Sequence, residues 1–310
     1  MNTSRYRDME IIDFLENSQK RKRLTNFLLN TKNKPTQKDL FKQFSEESLD
    51  LILDNISSLI KEKKPLYQRW FQKTGDKKRL LNVPKKPLRK LIDVYLLSLI
   101  KIKQKHDQCH GGEKEWSVKK SLETHLLCKS TLSFDLENAF ENINIEHVFD
   151  LFYELLDDSL SQKERNDFAN FLSIINTVKY SDKRGLPQGS PCSMALFNRV
   201  LYPLDEKLSK KSIERNLRYS RWVDDIIISS QDKKGIEYFL GAIELTSGYF
   251  SISKEKIFFQ DGNEIYLLGH KIKNNIITKN AKEEKLRNKI SPLNFDEFFK
   301  GKSFYDPWED

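Results

Sequence analysis

Two adjacent carboxylates, Asp224 and Asp225, stand between the aromatic run at 219–223 and the apolar run at 226–228. This pattern predicts two short antiparallel strands joined at the Asp pair. A plain polar turn is the simplest alternative, but neither Gly nor Asn follows the pair, so the usual preference of a type I′ hairpin is unmet. Carboxylates held this close repel each other, and a divalent cation between them relieves the repulsion. The pair therefore favours a cation site on an antiparallel sheet.

A third carboxylate, Asp135, ends the alternating segment 131–135, which predicts a half-buried strand. Three oxygen ligands on adjacent strands suit Mg²⁺, which takes few carboxylates together with substrate phosphates. A pair of such ions, Mg²⁺ or alternatively Mn²⁺, activates a 3′-hydroxyl and stabilises leaving pyrophosphate in phosphoryl transfer. The three Asp residues are thus candidate metal ligands.

The positive charge of the chain is concentrated in one segment. Of 54 Lys and Arg and 45 Asp and Glu in 310 residues, positions 61–105 hold 15 and 3, a local charge of +12. The remaining residues hold 39 and 42, or −3. A solvated lysine-rich face would have this composition too, but Tyr67, Trp70 and Phe71 interleave with the cations, as in grooves that stack bases beside phosphates. The segment predicts a nucleic-acid partner.

Helical spacing predicts helices within 1–62, over 88–102, across 145–177 and over 193–208. Residues 66–71 and 78–83 predict a basic hairpin, and further strands are predicted near 249–259 and 264–278. Helices packed on an antiparallel sheet make an α+β fold, and the length suits one large domain or two to three coupled ones.

Several classes of protein are disfavoured. No apolar run approaches the roughly 20 residues that cross a bilayer, so no membrane association is expected. The N-terminus lacks the basic-then-apolar order of a secretory signal. Three cysteines without a CxxC motif predict a reducing, cytoplasmic location.

Five segments occur in the order of the palm motifs of reverse transcriptases, a family that this chain resembles: FDLENAF (134–140), GLPQGSPCS (185–193), RWVDD (221–225), ISKEKIFF (252–259) and YLLGHKI (266–272). Two earlier segments resemble the family's fingers motifs: GDKKRLLNVPKKPLRKLI (75–92) and HGGEKEWSVKKSL (110–122). The resemblance implies a right-hand polymerase fold with fingers and palm. The implied division is an N-terminal helical extension (1–62), fingers (63–130), palm (131–262) and a primer grip with a short tail (263–310).

The resemblance assigns roles by position. It implies that Asp135 and Asp224 are metal ligands supported by Asp225, and that Lys256 protonates leaving pyrophosphate; a solvated strand lysine is the alternative. Phe140, five residues after Asp135, matches the steric gate that favours dNTPs, with a core Phe as the alternative. The implied nucleotide-binding residues are Lys78, Arg79, Lys114, Leu136, Phe140, Gln188 and Gly189. The implied template- and primer-binding residues are Lys77, Arg89, Trp222, Leu268 and Gly269.

Two positions depart from the family pattern. Trp222 stands where the family has Tyr or Phe, and Lys114 stands where it has Arg, which removes a bidentate fork for phosphate. Only about 30 residues follow Asn280, which predicts a reduced or absent thumb, with its clamp supplied by RNA, a partner protein or another copy of the chain.

Within the family the chain is most similar to compact defence-associated reverse transcriptases. The expected function is RNA-directed DNA synthesis from dNTPs in antiviral defence, with a dedicated noncoding RNA as template and DNA as product. A retron-type enzyme is an alternative. The retron element Asn-Ala-x-x-His is replaced here by residues 122–125, of which only His125 matches, and the element Val-Thr-Gly is replaced by residues 267–269. A third alternative is a template-independent polymerase; if the protein itself is the primer, the candidate hydroxyls are those of Tyr305 and Tyr6. A fourth is a non-catalytic RNA-binding scaffold. An RNA polymerase is disfavoured by Phe140.

Overall fold

The computed structural model describes residues 8–31, 46–74, 77–112, 116–156, 159–181, 183–233, 235–236, 250–252 and 256–279. These residues belong to two compact units, each built from two stretches of chain. The first unit comprises residues 1–104 and 140–200, and the second comprises 105–139 and 201–310. Helices and antiparallel sheets occur together, so the predicted α+β class is confirmed. The division into helical extension, fingers, palm and tail, with boundaries at residues 62, 130 and 262, stays a prediction.

The first unit is mainly helical. Its helices are α1 (Asp8–Glu16), α2 (Ser18–Thr31), α3 (Glu46–Lys61), α4 (Lys86–Leu91), α5 (Leu97–Ile100), α7 (Ala139–Asn142, which begins one residue before the unit), α8 (Ile145–Leu155), α9 (Gln162–Ile175) and α10 (Ser193–Val200). A π-helical turn (Ile92–Leu96) joins α4 to α5, so the predicted helix over 88–102 is real but not uniform. Phe14 of α1 stacks on Phe171 of α9 and meets Phe168 edge-on, which buries the N-terminal extension against the helices that follow.

The predicted basic hairpin is confirmed. Strands β1 (Tyr67–Thr74) and β2 (Lys77–Pro84) pair antiparallel over their whole length. Neighbouring side chains on a strand point to opposite faces, and both Trp70 and Phe71 are exposed, so each face of the hairpin presents an aromatic ring. The base of the hairpin is anchored, because the Tyr67 hydroxyl donates a hydrogen bond to the Ile175 carbonyl at 2.9 Å. A short pair, β4 (Val178–Lys179) and β5 (Arg184–Gly185), follows α9.

The second unit holds the larger sheet. Its four strands lie in the order β6 (Arg218–Trp222), β7 (Asp225–Ser230), β3 (Ser130–Asp135) and β8 (Phe258–Asp261), with every neighbouring pair antiparallel. The helices among the described residues of this unit are α6 (Val118–Glu123) and α11 (Tyr202–Glu214). Leu122 and Ile227 form a buried cluster with three residues of a separate meander, Ile265, Leu267 and Ile272.

That meander corrects one prediction. A single strand over 264–278 is wrong, because the chain there makes three short strands: β9 (Glu264–Leu267), β10 (His270–Lys273) and β11 (Ile276–Lys279). Each connection is a two-residue turn whose residues have positive φ, a hairpin geometry that Gly and Asn adopt readily. The predicted helix over 193–208 is likewise two helices, α10 and α11, separated at Leu201 with Pro203 in the first turn of α11.

His125 joins the two strands that flank the Asp pair. Its Nδ1 lies 2.7 Å from the Ser229 hydroxyl of β7 and its Nε2 lies 2.7 Å from the Ser220 hydroxyl of β6. Burial lowers the pKa of His125 to about 3, with smaller contributions from the charges of His110 and Arg218. The ring is therefore neutral at physiological pH and acts as a structural link between strands.

Among the described helices, none is both long enough and apolar enough to cross a bilayer. The candidate priming residues Tyr6 and Tyr305 and the tail from residue 280 onward lie outside the described residues.

Candidate active site

The sheet of the second unit brings the predicted carboxylates to one end of two paired strands. Asp135, the last residue of β3, lies directly opposite Asp225, the first residue of β7. The backbone N–H of Leu136 donates to the Asp224 carbonyl at 3.1 Å, which extends the pairing past the strand ends. The strand register therefore places Asp135, Asp224 and Asp225 at the same edge of the sheet.

Electrostatics indicate that the Asp224 and Asp135 carboxyls face each other. The pKa of Asp224 is raised to about 6, first by burial and then by the negative charge of Asp135, with the hydrogen bond between the two acids adding to the rise. A carboxyl group whose ionisation is disfavoured in this way is stabilised when a cation binds beside it.

A cation from the protein already contacts this pair. The Lys256 ammonium forms an ion pair with Oδ2 of Asp135, and its charge opposes the rise in the Asp224 pKa. About half of the Lys256 side chain is exposed, so it can leave the carboxylate without exposing a buried surface. The ammonium marks a position that favours positive charge.

The donor set fits a hard divalent ion that also takes ligands from a substrate. Among the described residues, no group of three His, Cys, Asp or Glu side chains is arranged to hold a metal by itself. Asp135 and Asp224 would supply two carboxylates, and Mg²⁺ commonly completes such a site with water and phosphate oxygens. Asp225, paired with Asp135 across the strands, is placed to support them.

The turn that carries Asp224 is a two-residue loop, Val223-Asp224, because Trp222 and Asp225 already pair. Val223 has a φ of 59°, the conformation that Gly normally supplies at the first loop position of a type II′ hairpin. For a β-branched residue this conformation costs on the order of 1–3 kcal/mol and persists only when its surroundings impose it.

A fully buried ion pair imposes that conformation. Arg221 donates from Nε and Nη2 to the two carboxylate oxygens of Asp205 at 2.7 Å each, and both side chains have zero exposure. The remaining nitrogen, Nη1, donates to the Val223 carbonyl at 2.6 Å. Burial opposes the charge on Arg221, but Asp205 outweighs it and raises the pKa of the guanidinium. The Tyr219 hydroxyl also donates to Asp205 at 2.6 Å.

The backbone of 108–111 closes the other side of the turn. The Arg221 N–H donates to the Gln108 carbonyl at 2.9 Å, and the His110 N–H donates to the Arg221 carbonyl at 2.9 Å. Gly111 lies so close that an added Cβ would stand 2.2 Å from the Val223 nitrogen. Only glycine allows this approach.

The cluster of His106, Cys109 and His110 has structural contacts. Arg221 Nη2 donates to the Cys109 sulfur at 3.1 Å, and His110 Nδ1 lies 2.9 Å from the Ser121 hydroxyl. The His110 ring also stacks on Trp116 with centroids 3.6 Å apart. These contacts pack Cys109 and His110 into the second unit.

Other predicted residues lie in the first unit. Phe140 is half-buried, with its ring stacked on Phe197 at 4.8 Å between centroids. The Gln188 carbonyl accepts the Asn82 N–H at 2.6 Å, which ties the 185–189 loop to β2. Gly189 has a φ of 103°, a conformation that side chains rarely adopt.

The predicted cations and primer-side residues are distributed over both units. Lys78 and Arg79 are exposed on β2, and Arg89 makes an exposed ion pair with Asp93 at 2.6 Å. In the second unit, Trp222 is half-buried at the end of β6. Leu136 is buried, and Leu268 and Gly269 form the turn between β9 and β10. The side chain of Lys77 and the whole of Lys114 lie outside the described residues.

Sequence reasoning missed Asp205, Gly111 and the role of Arg221. Arg221 belongs to a motif segment. Its partner Asp205 lies 16 residues earlier on α11, where the sequence pattern indicates only an ordinary polar residue. The only sequence signal is that Asp205 lies on the same helix face as the buried Leu208 and Ser212.

Asp205→Asn tests the ion pair. The amide keeps the volume but leaves the Arg221 charge buried without a counter-charge, so we expect unfolding free energy to fall by about 3–5 kcal/mol. Urea unfolding followed by circular dichroism measures the change. Glu206→Gln, an exposed carboxylate on the same helix, is the control and should change stability by less than about 0.5 kcal/mol. Equal stability of the two variants would contradict the role given to Asp205.

Comparison with known proteins identifies the family to which the chain belongs. Residues 71–272 match the family model described as reverse transcriptase (RNA-dependent DNA polymerase). The chain is 26% identical over 167 residues to the retron Ec86 reverse transcriptase of Escherichia coli, covering 53% of this chain and 49% of that protein. It is 27% identical to the retron Ec73 reverse transcriptase of the same species, covering 59% and 61%. The chain thus spans about half to three-fifths of the length of these relatives.

Solved structures also show similarity. Apo telomerase from Candida tropicalis, truncated from its C-terminal domain, gives a TM-score of 0.47 at 14% identity, covering 69% of this chain and 55% of that one. Telomerase from Candida albicans with a fragment of telomeric RNA gives 0.49 at 13% identity, covering 70% and 46%. The family model covers about two-thirds of the chain, including all three Asp residues and the strands that carry them. The chain therefore belongs to the reverse transcriptase family.

Proposed function

We propose that the protein is an RNA-directed DNA polymerase that extends a primer 3′ end with dNTPs and depends on two Mg²⁺ ions, for which Mn²⁺ can substitute. The observation that carries the proposal is the facing pair of Asp135 and Asp224, in which burial and then the charge of Asp135 raise the pKa of Asp224 to about 6. Membership of the reverse transcriptase family supports the reaction class.

In this proposal Asp135 and Asp224 hold the metal ions and Asp225 supports them. When bound, the two ions would supply the Lewis acidity that activates the primer hydroxyl and offsets charge on the leaving pyrophosphate. Lys256, now paired with Asp135, would move to the pyrophosphate and donate a proton as it leaves. The ion pair of Arg221 and Asp205 keeps the turn in the conformation that presents Asp224.

The nucleic acid partners follow from charge and exposed rings. Lys78 and Arg79 on β2 would contact the triphosphate or template, and the exposed Trp70 and Phe71 offer surfaces for base stacking. Gln188 and Gly189 would line the nucleotide pocket, and Phe140 would exclude a ribose 2′-hydroxyl. Lys114, Leu136, Lys77, Arg89, Trp222, Leu268 and Gly269 keep the nucleotide- or template-binding roles that their motif positions imply.

We further propose a cytoplasmic role in antiviral defence with a dedicated noncoding RNA as template. In this proposal the clamp on the template–primer duplex comes from the RNA, from a partner protein or from another copy of the chain. A retron-type enzyme is a second candidate, because the relatives reported above are retron reverse transcriptases with 26–27% identity. Template-independent synthesis and a scaffold without activity are the remaining candidates.

Asp224→Asn tests the catalytic proposal. The amide is isosteric but has no charge for a cation, so incorporation of labelled dNTPs on a primed RNA should fall by about a hundredfold or more. Asp107→Asn removes an exposed carboxylate of the same unit and should leave incorporation unchanged. Activity that survives Asp224→Asn would exclude the proposed mechanism.

Nucleic acid that co-purifies with the protein from its native host separates the candidates. DNA copied from one RNA supports templated synthesis, and its covalent linkage to that RNA supports the retron type. DNA that matches no RNA supports template-independent synthesis. RNA without DNA, unchanged by Asp224→Asn, supports a scaffold.

Phe140→Ala tests the steric gate. Loss of the ring should raise use of rNTPs relative to dNTPs by about tenfold or more, because a 2′-hydroxyl then fits. Phe197→Ala is the matched control, since it removes the same stacked ring pair but leaves the Phe140 ring in the chain. An unchanged sugar preference in Phe140→Ala, measured by competition between the two nucleotides, would remove this role.

A further inference from the structure

A basic cleft lies within the first unit. A cleft of about 600 Å³ opens between the N-terminal helices, the base of the β1–β2 hairpin and the β4–β5 pair. Its lining includes Ile11 and Ile12 of α1, the segment 60–67 and Val178 of β4. Most of the lining residues precede position 71, where the match to the reverse transcriptase family model begins, so family membership does not assign this cleft.

The charge of the cleft is of one sign. Its lining contains no Asp or Glu and six cations: Lys61, Lys63, Lys64, Arg69, Lys179 and Arg184. Lys61 and Lys64 pair with Glu16 and Glu62 on exposed surface, where such pairs contribute little and exchange readily. A concave surface lined by one sign of charge concentrates its field on a bound polyanion.

One of these cations is fixed in place. Arg184 donates from Nη2 to the carbonyls of Ile174 and Thr177 at 2.8 Å each, and from Nε to the Thr177 hydroxyl at 3.1 Å. Lys63, Arg69 and Lys179 are exposed and form no ion pair with any described residue. The cleft therefore combines a positioned guanidinium with three exposed cations around it.

The floor of the cleft is apolar. Ile11, Ile174 and Val178 are buried and contribute to its lining, and Leu66 and Pro65 continue the surface outward. Cations beside apolar surface match single-stranded nucleic acid, in which phosphates alternate with flat bases. An acidic peptide matches the cations but offers no such regular set of planar groups.

The position of the cleft favours the same ligand. Asn82 is one of the residues that line the cleft, and its backbone N–H donates a hydrogen bond to the Gln188 carbonyl at 2.6 Å. The cleft therefore borders the 185–189 loop, to which the proposed function assigns the pocket of the nucleotide that pairs with the template. We propose that this cleft binds an unpaired segment of the template RNA, an inference that rests on the proposed function.

The test compares two triple variants of the full chain. Lys63→Gln, Arg69→Gln and Lys179→Gln together remove the three exposed cleft cations. Lys22→Gln, Lys101→Gln and Lys163→Gln remove three exposed cations of the same unit that do not line the cleft. The probe is a single-stranded RNA of about 12 nucleotides that carries 4-thiouridine for photo-crosslinking.

We expect the cleft variant to bind this RNA roughly tenfold more weakly at about 0.1 M salt, with a salt dependence shallower by about two in log–log slope. The control variant should change affinity less than twofold. Crosslinks in the wild type should map to peptides containing 60–69 or 174–184. Equal RNA affinity of the two variants, or crosslinks confined to other peptides, would overturn the proposal.

Two further measurements separate this proposal from the others. Addition of one nucleotide to a primer whose template overhang is a single base, too short to reach the cleft, should be the same in both triple variants. Absence of this addition in the wild type would refute the proposed polymerase while leaving the crosslinking result to judge the cleft. Polyglutamate, an acidic peptide, is the comparison ligand, and its affinity is measured for the wild type and both triple variants. A cleft variant that loses polyglutamate but keeps RNA would show a site for acidic protein and overturn the RNA assignment.

Discussion

Arg221 and Asp205 form a buried ion pair with two hydrogen bonds, and the third donor of the guanidinium holds the carbonyl of Val223. Removing both charges from water is costly, and the pair is retained only with this complete set of partners. Asp205 belongs to α11, whereas Arg221 and Val223 belong to the hairpin that carries Asp224. The pair therefore ties the conformation of the turn that is proposed to bind metal to the packing of a helix.

The turn needs this support because its local preferences oppose its shape. Val223 adopts a φ of 59° that its branched side chain disfavours, and Asp224 lies against the like charge of Asp135. Gly111 packs against the same turn and leaves no room for a side chain. Strained backbone and repelling charges at one point are typical of functional sites, where the surrounding fold compensates for them.

The sequence was sufficient to predict the β6–β7 hairpin and the strand that ends at Asp135, because alternating hydrophobicity and the position of the carboxylates are local signals. It was also sufficient to identify the family, since the motifs occur in order along the chain. The ion pair between Arg221 and Asp205 was not predictable, because the local sequence does not distinguish a buried Asp on a helix from a solvent-exposed one. The same holds for the basic cleft, whose walls come from helices, a hairpin and a short strand pair that only the tertiary fold brings together. The division of 264–278 into three strands was missed although Asn274-Asn275 is a turn signal in the sequence. The other turn begins at Leu268, a residue type for which a positive φ is not expected.

Mn²⁺ affinity measured by electron paramagnetic resonance tests the central claim that the buried pair shapes the metal site. Arg221→Lys retains the charge but not the fork that reaches both Asp205 and Val223, so Mn²⁺ should bind about tenfold more weakly or worse. Arg218→Lys is the matched control, since Arg218 lies on the same strand and bonds to the carbonyls of Thr124 and Leu126 instead. The account predicts near-normal Mn²⁺ binding in Arg218→Lys and weakened binding in a folded Arg221→Lys protein. Unchanged Mn²⁺ affinity in folded Arg221→Lys would contradict it.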